Sequence, residues 1–264
     1  MLGRIKMENS KKYTLFIIIY AILIACIYIF RVGGEKYFEP LTNIVNLVTG
    51  LVTLVFGYLA IRYFGMKTLQ GKSILVLSAS VFIWLLADML WSIIFGDAIV
   101  SFADVLYLMG YPLMFLGVYY GILIVKEDFF SDRKRVLLVL GAIVLCGLLY
   151  FKFFPLAWDP ESSTVVNIVT SGYVLADMLL IIPVILLVAL VIGGSFSYPW
   201  ILIGVAVFLD IIGDFYYNLN SATYSKGDLV DVLWYFGYLL FAIAFIYMKA
   251  NAESLLKIAD KKKA

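Results

Sequence analysis

The chain has 264 residues, 64% of them hydrophobic and 14% charged, with a mean hydropathy of +1.02 and a formal net charge of +2. A soluble domain carries about a quarter charged residues, so the composition excludes an ordinary soluble protein and points to one embedded in a membrane, with no nucleic-acid partner. The chain contains no His, which excludes bis-His haem ligation, His-based metal sites and Ser-His-Asp or Cys-His catalysis.

Eight apolar runs are long enough to cross ~30 Å of hydrocarbon as helices. They fall near 13–33, 41–64, 73–96, 103–125, 135–154, 164–192, 198–217 and 229–249. The predicted fold is all-α and polytopic, with eight transmembrane helices. The first run contains L-I-A-C at 23–26, which resembles a lipoprotein processing site, but apolar sequence continues to Phe30 and favours an ordinary first helix. A cleavable signal peptide is not expected either. Cys26 and Cys146 lie inside apolar runs and read as small packing residues. Pro112 in the fourth run and Pro183 in the sixth are expected to kink their helices.

Lys and Arg sort by connection. The N-terminal tail, the second and fourth connections and the tail from Lys249 together carry sixteen, whereas the opposite side has only Arg31, Lys36, Lys152 and Lys226. The positive-inside rule places both termini in the cytoplasm, as an even number of spans requires, and suggests the plasma (inner) membrane. The tail 250–264 is expected to continue the last helix and end in a basic, headgroup-touching cluster.

The chain also repeats itself. D-V-L-Y-L-M-G-Y-P-L at 104–113 matches D-V-L-W-Y-F-G-Y-L-L at 231–240, an offset of 127. Upstream, Asp88 with Trp91 matches Asp214 with Tyr217 at an offset of 126, and V-N-L-V-T-G at 45–50 echoes V-N-I-V-T-S at 166–171. Two four-helix repeats are therefore expected, 13–125 and 135–249, joined by a charged cytoplasmic linker at 126–135. Each half has an even number of helices, so the repeats would be parallel. Gly110 and Gly237, at matching positions, would let helices approach closely. Asn46 and Asn167, with Thr49 and Thr170, read as polar glue between the second and sixth helices, or as the neutral wall of a cavity.

The chemistry that remains is that of aspartate. Asp88, Asp177, Asp210 and Asp214 lie within apolar helices, and Asp104 and Asp231 open the fourth and eighth. An acid at bilayer depth costs ~2.5–3.5 kcal/mol on insertion scales, which makes it a functional candidate by default. With no basic residue nearby in sequence, such groups can hold their proton, accept hydrogen bonds from Tyr, Trp, Asn or Ser, or meet a bound cation. Helical spacing groups Asp88 with Trp91, Asp104 with Tyr107 and Tyr111, Asp210 with Asp214 and Tyr217, and Asp231 with Trp234 and Tyr238. These faces converge at the outer half of the membrane and predict an outward-facing chamber for a small cationic or neutral-amphipathic ligand. Asp97 and Lys226 flank its mouth. Asp177 has no counterpart in the other half. A purely structural role is the competing reading, in which Asp104 and Asp231 cap helices and Asp88 and Asp214 fix the register through Tyr hydroxyls. No catalytic residue, metal site or cofactor is predicted. The expected partners are membrane lipid, a small-molecule ligand and a cytoplasmic or membrane signalling protein.

The stretch A-D-M-L-W followed by A-D-V-L-Y-L-M-G-Y-P-L resembles the multi-helix sensory module that precedes histidine kinase, PAS or diguanylate cyclase domains in bacterial and archaeal signalling proteins. That resemblance implies a sensor which, without an output domain in this chain, would signal through a partner. A small secondary transporter coupled to H+ or a cation is the alternative. A further likeness, through G-D-F-Y-Y at 213–217 and the acid at 231, is to lysoplasmalogenase-type membrane hydrolases.

Overall fold

Long apolar runs close their backbone hydrogen bonds internally, as hydrocarbon demands, and in the computed structural model the described residues form eight long helices. The structure describes residues 2–95, 100–125, 133–192, 197–220 and 223–263. The helices are α1 (Leu2–Ile29), α2 (Gly34–Phe64), α3 (Leu69–Leu90), α4 (Phe102–Val125), α5 (Arg133–Ala157), α6 (Thr164–Val191), α7 (Ser197–Asn220) and α8 (Asp231–Lys263). A π-helical turn, Trp91–Phe95, extends α3. Each of the eight is long and apolar enough to cross a membrane, and the protein is a polytopic membrane protein.

The helix limits depart from the sequence expectation where local chemistry differs from hydropathy. The first helix stops at Ile29 rather than 33, because Arg31 (φ 44°) and Gly33 (φ 100°) turn the chain. α2 then starts at Gly34 and not at 41, taking Pro40 into its second turn, where it removes one backbone hydrogen bond near the helix start. α8 opens at Asp231 and runs unbroken to Lys263, so the basic tail continues the last helix. Pro112 and Pro183 lie inside α4 and α6. Asp97 and most of the expected linker lie outside the described residues.

Helices α2, α3, α4, α6, α7 and α8 contact one another in that order and close into a ring, since α8 returns to α2. α1 lies against α8 and reaches α2 through the Tyr20 hydroxyl, which donates to the Val45 carbonyl at 3.1 Å. α5 packs on α6 and α7. The peripheral position of α5 shows in burial: 17% of its spanning window is buried, against 72% for α8. Its outward side chains, such as Phe151 at 77% exposed, suit lipid tails and not water.

The ring interior is filled by Leu77, Met114, Val118, Leu187, Ile203, Phe241 and Phe245, all fully buried. Lipid is as apolar as these side chains, so close packing and interhelical hydrogen bonds hold the ring together, with little hydrophobic driving force. Thr53 donates to the Tyr238 carbonyl at 2.7 Å, Ser73 to Gly117 at 2.7 Å and Ser80 to Gly110 at 2.8 Å. Gly110 lies directly under the Trp84 indole, and Gly237 against the Asp210 carboxyl and the Ala206 carbonyl.

The two ends of the bundle differ. Tyr28, near the end of α1, meets Tyr235 and Asp231 at the start of α8. At the opposite end Gln70 donates to the Met248 sulfur at 3.0 Å. Both chain termini belong to that second end. The acids gather at the first.

Candidate ligand-binding site

The end of the ring away from the termini encloses a cavity of about 180 Å3. The C-terminal turns of α3 and α7 and the N-terminal turns of α4, α6 and α8 build its wall. Asp88, Trp91, Asp104, Tyr107 and Tyr111 line it from the first motif region. Asp210, Asp214, Tyr217, Asp231, Trp234 and Tyr238 line it from the second. Asp177 is placed differently: it is fully buried and does not line the cavity, but reaches it through the Tyr111 hydroxyl, which donates to Asp177 Oδ1 at 2.7 Å.

Residues matched by the sequence offsets make matching bonds. Asp88 on α3 accepts from Tyr107 on α4 and, at 3.3 Å, from Tyr238 on α8. Asp214 on α7 accepts from Trp234 on α8 at 3.0 Å and from Tyr111 on α4 at 3.0 Å. Each carboxyl therefore takes one donor from the helix that follows it and one from the opposite motif. Tyr111 and Tyr238, which occupy the same place in the two motifs, exchange partners across the ring. The i, i+4 spacing of Tyr107 and Tyr111 puts both hydroxyls on one face.

Asp104 and Asp231 combine capping with a role in the wall. Ser101 and Asp104 form a capping box at the start of α4: Ser101 N donates to Asp104 Oδ2 at 2.7 Å and Ala103 N to Ser101 Oγ at 3.2 Å. The other Asp104 oxygen accepts from Tyr173 on α6 at 2.9 Å. Asp231 accepts from Gly227 N and from the Tyr224 hydroxyl, each at 2.9 Å. Gly227 sits at φ 92° against the Phe38 ring, where a Cβ would approach Phe38 Cε1 to 2.6 Å. Its hydrogen atom is thus required by both backbone and neighbour. Capping alone does not account for these two acids, because each spends an oxygen on a tyrosine of the cavity.

Several wall residues escape sequence periodicity. Lys226, in the connection before α8, lines the cavity with its ammonium 5.5 Å from the Trp91 ring centroid and 2.5 Å from Ser92 Oγ. It is the one basic side chain lining the cavity among the described residues. Burial lowers its pKa from the usual lysine range, while Glu39, Asp88 and Asp231 act in the opposite sense. Burial and the Asp231 carboxylate raise the Tyr224 hydroxyl. Tyr173 stands one turn before Asp177, and Tyr235 one turn after Asp231, so both carried the same helical signal as the predicted residues. Lys226 and Tyr224 lie on a non-helical segment, where no period applies.

The asparagines do not join α2 to α6, because α3 and α4 stand between those helices in the ring. Asn46 lines the cavity and its Oδ1 has no partner. Asn167 instead fastens the α5–α6 connection, accepting from Asp159 N and donating to the Asp159 carbonyl, both at 2.8 Å. Asp159 itself accepts from Glu161 N and Ser162 Oγ, which lower its pKa.

Among the described residues no three acidic or thiol side chains converge in a way that could hold a metal ion. The cavity instead offers carboxyl groups ringed by aromatic donors, with apolar ring faces between them. No protein-family model, curated protein sequence or solved structure matches the chain.

Proposed function

We propose that this protein is a membrane-embedded sensor-like module that binds a small cationic or neutral-amphipathic ligand in the acidic and aromatic cavity. Its two halves are read as parallel four-helix repeats related about an axis through that cavity. The exchange of Tyr111 and Tyr238 between Asp214 and Asp88 supports this arrangement. The positive-inside count gives the cavity an outward aspect and leaves both termini in the cytoplasm.

The observation that carries a sensor over a carrier is the contrast between the two ends of the ring. The buried carboxyl groups Asp177, Asp210 and Asp231 all belong to the cavity end, and below them the interior is a packed apolar core. A carrier needs a polar path through both halves. α8 supplies a route for a signal: it contributes Asp231, Trp234 and Tyr238 to the wall and continues to Lys263, about 50 Å at 1.5 Å per residue. A ligand that pulls on the first turn of α8 displaces its far end, where a signalling partner would read the shift.

Methylamine uptake into proteoliposomes under an imposed pH or sodium gradient separates the two classes. The sensor reading expects a change in tryptophan fluorescence from Trp84, Trp91 and Trp234 without accumulation. Gradient-driven accumulation would put the carrier first.

A further inference from the structure

A second hollow, of about 190 Å3, opens between α1, α2 and α8 at the end of the bundle that carries the chain termini. Tyr13, Phe56 and Leu59 form its apolar side, and Tyr13 and Leu59 are exposed, so that side is open to an occupant. Asn9, Lys249 and Glu253 form its polar side. The helices set its depth. Asn9 begins the apolar span of α1, and the span of α8 ends at Leu255. Lys249 lies roughly 9 Å inside that end, at 1.5 Å per residue. The hollow therefore straddles the boundary between headgroups and hydrocarbon, polar at the span ends and apolar deeper in. Lys249 decides what fits there. It is half-buried and is the one basic side chain on this wall among the described residues. No described residue takes a hydrogen bond or an ion pair from its ammonium. Glu253, one turn along α8, already interacts within the protein. A half-buried cation without a counter-charge leaves a seat for an anion.

We propose that this hollow holds one anionic phospholipid, with its phosphate on Lys249 and the start of an acyl chain against Tyr13, Phe56 and Leu59. The site is separate from the acidic cavity and stands whether or not that cavity binds a ligand. Phosphate oxygens are the acceptors that the ammonium of Lys249 lacks, and the exposed Asn9 amide adds a donor at the rim. The exposed Lys11 and Lys12 of α1 stand beside Asn9 and Tyr13 in the chain. They disfavour a headgroup that brings its own cation, such as choline, and favour one with net negative charge. A basic pocket between spanning helices on the cytoplasmic side suits an anionic headgroup, and the positive-inside count gives this end of the bundle that side. The hollow takes the glycerol phosphate and the first methylenes, and the remaining tails stay in the bilayer. A lipid so seated joins α1 and α2 to the last turns of α8.

The test uses the full chain in detergent micelles and three probes: dioleoyl phosphatidylglycerol, dioleoyl phosphatidylcholine and inorganic phosphate. Native mass spectrometry counts retained lipid, and the unfolding temperature reports stabilisation. The proposal expects one phosphatidylglycerol to be retained per chain, more tightly than phosphatidylcholine. Lys249→Gln should weaken phosphatidylglycerol by roughly fivefold, the value of one lysine near an anionic headgroup. Lys67→Gln, at an exposed lysine in the α2–α3 connection, should leave it unchanged. Leu59→Trp fills the hollow without touching Lys249 and should also weaken retention. Equal retention of the two lipids overturns the proposal, and so do equal losses in Lys249→Gln and Lys67→Gln, which would mean general surface attraction. Stabilisation by inorganic phosphate equal to that by phosphatidylglycerol overturns the lipid as the source of the phosphate. Should Lys249→Gln not yield folded protein, Leu59→Trp decides, and undiminished phosphatidylglycerol retention in that variant overturns the site. None of these outcomes bears on the acidic cavity.

Discussion

Replacing Tyr111 by Phe removes one oxygen and leaves the ring volume in place, so its cost isolates the hydrogen bonds. The Tyr111 hydroxyl is shared between Asp177 Oδ1 at 2.7 Å and Asp214 Oδ2 at 3.0 Å. Asp177 is fully buried and its other oxygen is already bare, so the substitution leaves that carboxyl with no donor. Asp214 keeps Trp234. Stripping a buried carboxyl of its last partner costs about 1–3 kcal/mol. The matching substitution, Tyr238→Phe, removes one 3.3 Å bond from Asp88, which retains Tyr107. Interhelical hydrogen bonds in membrane proteins average about 0.6 kcal/mol, and that figure suits the second case. Two residues at the same place in a repeated motif should therefore differ by ~1.5 kcal/mol, a factor of about ten in the unfolding equilibrium. Reversible unfolding in mixed micelles, followed by tryptophan fluorescence, measures both. Equal costs, or a larger cost for Tyr238→Phe, would refute the role given to Asp177.

Gly110→Ala places a methyl 2.7 Å from Trp84 Cε2 and should break the bond from Trp84 Nε1 to the Tyr107 carbonyl, destabilising by about 1–3 kcal/mol. Gly141→Ala has open space around the new methyl and should stabilise by up to ~1 kcal/mol through helix propensity; the same unfolding assay reads both. Lys226 has a lowered pKa in the folded protein, so the unfolded chain binds more protons between that value and the usual 10.5. Folded stability gains from this residue as pH rises through that window, and the penalty is complete below it. Lys226→Met should remove that rise, which a comparison of unfolding temperatures from pH 7 to 10 will show as a flatter profile. Asp104→Asn keeps a capping acceptor but weakens the Tyr173 contact, and should loosen α6 against α4, seen as faster amide exchange near Tyr173 than in the unaltered protein.

Helix number and the gathering of the acids were legible in the sequence because both rest on period. Apolar runs of span length show the eight helices, and i, i+3 and i+4 spacing puts Asp104, Tyr107 and Tyr111 on one face. The repeated motif marks the site, since Asp88 and Asp214 recur with their aromatics. What escaped was set by tertiary order. The ring separates α2 from α6, so Asn46 and Asn167 serve different neighbours despite their matching context. α1 rests on α8 whereas α5 rests on α6 and α7, a difference that no run of apolar residues encodes. Lys226 reads in sequence only as a charge in the loop at the chamber's mouth, beside Asp228. It lines the wall because the connection before α8 folds over Trp91 and Ser92. The bare oxygens of Asp210 follow from the absence of a nearby donor, and absence has no local signature.

The cavity lies at the end of the ring away from the chain termini, and the proposed orientation has that end facing outward. Asn218 lies on its wall, and Ala252 lies near the far end of α8. With Cys26 and Cys146 replaced by Ala, single cysteines at Asn218 and at Ala252 can be challenged in intact cells with a membrane-impermeant maleimide. Labelling of the Asn218→Cys variant from outside, blocked by prior exposure to benzylamine, with the Ala252→Cys variant reached only after the cells are opened, is the predicted result. Labelling of the Asn218→Cys variant only in opened cells would contradict it.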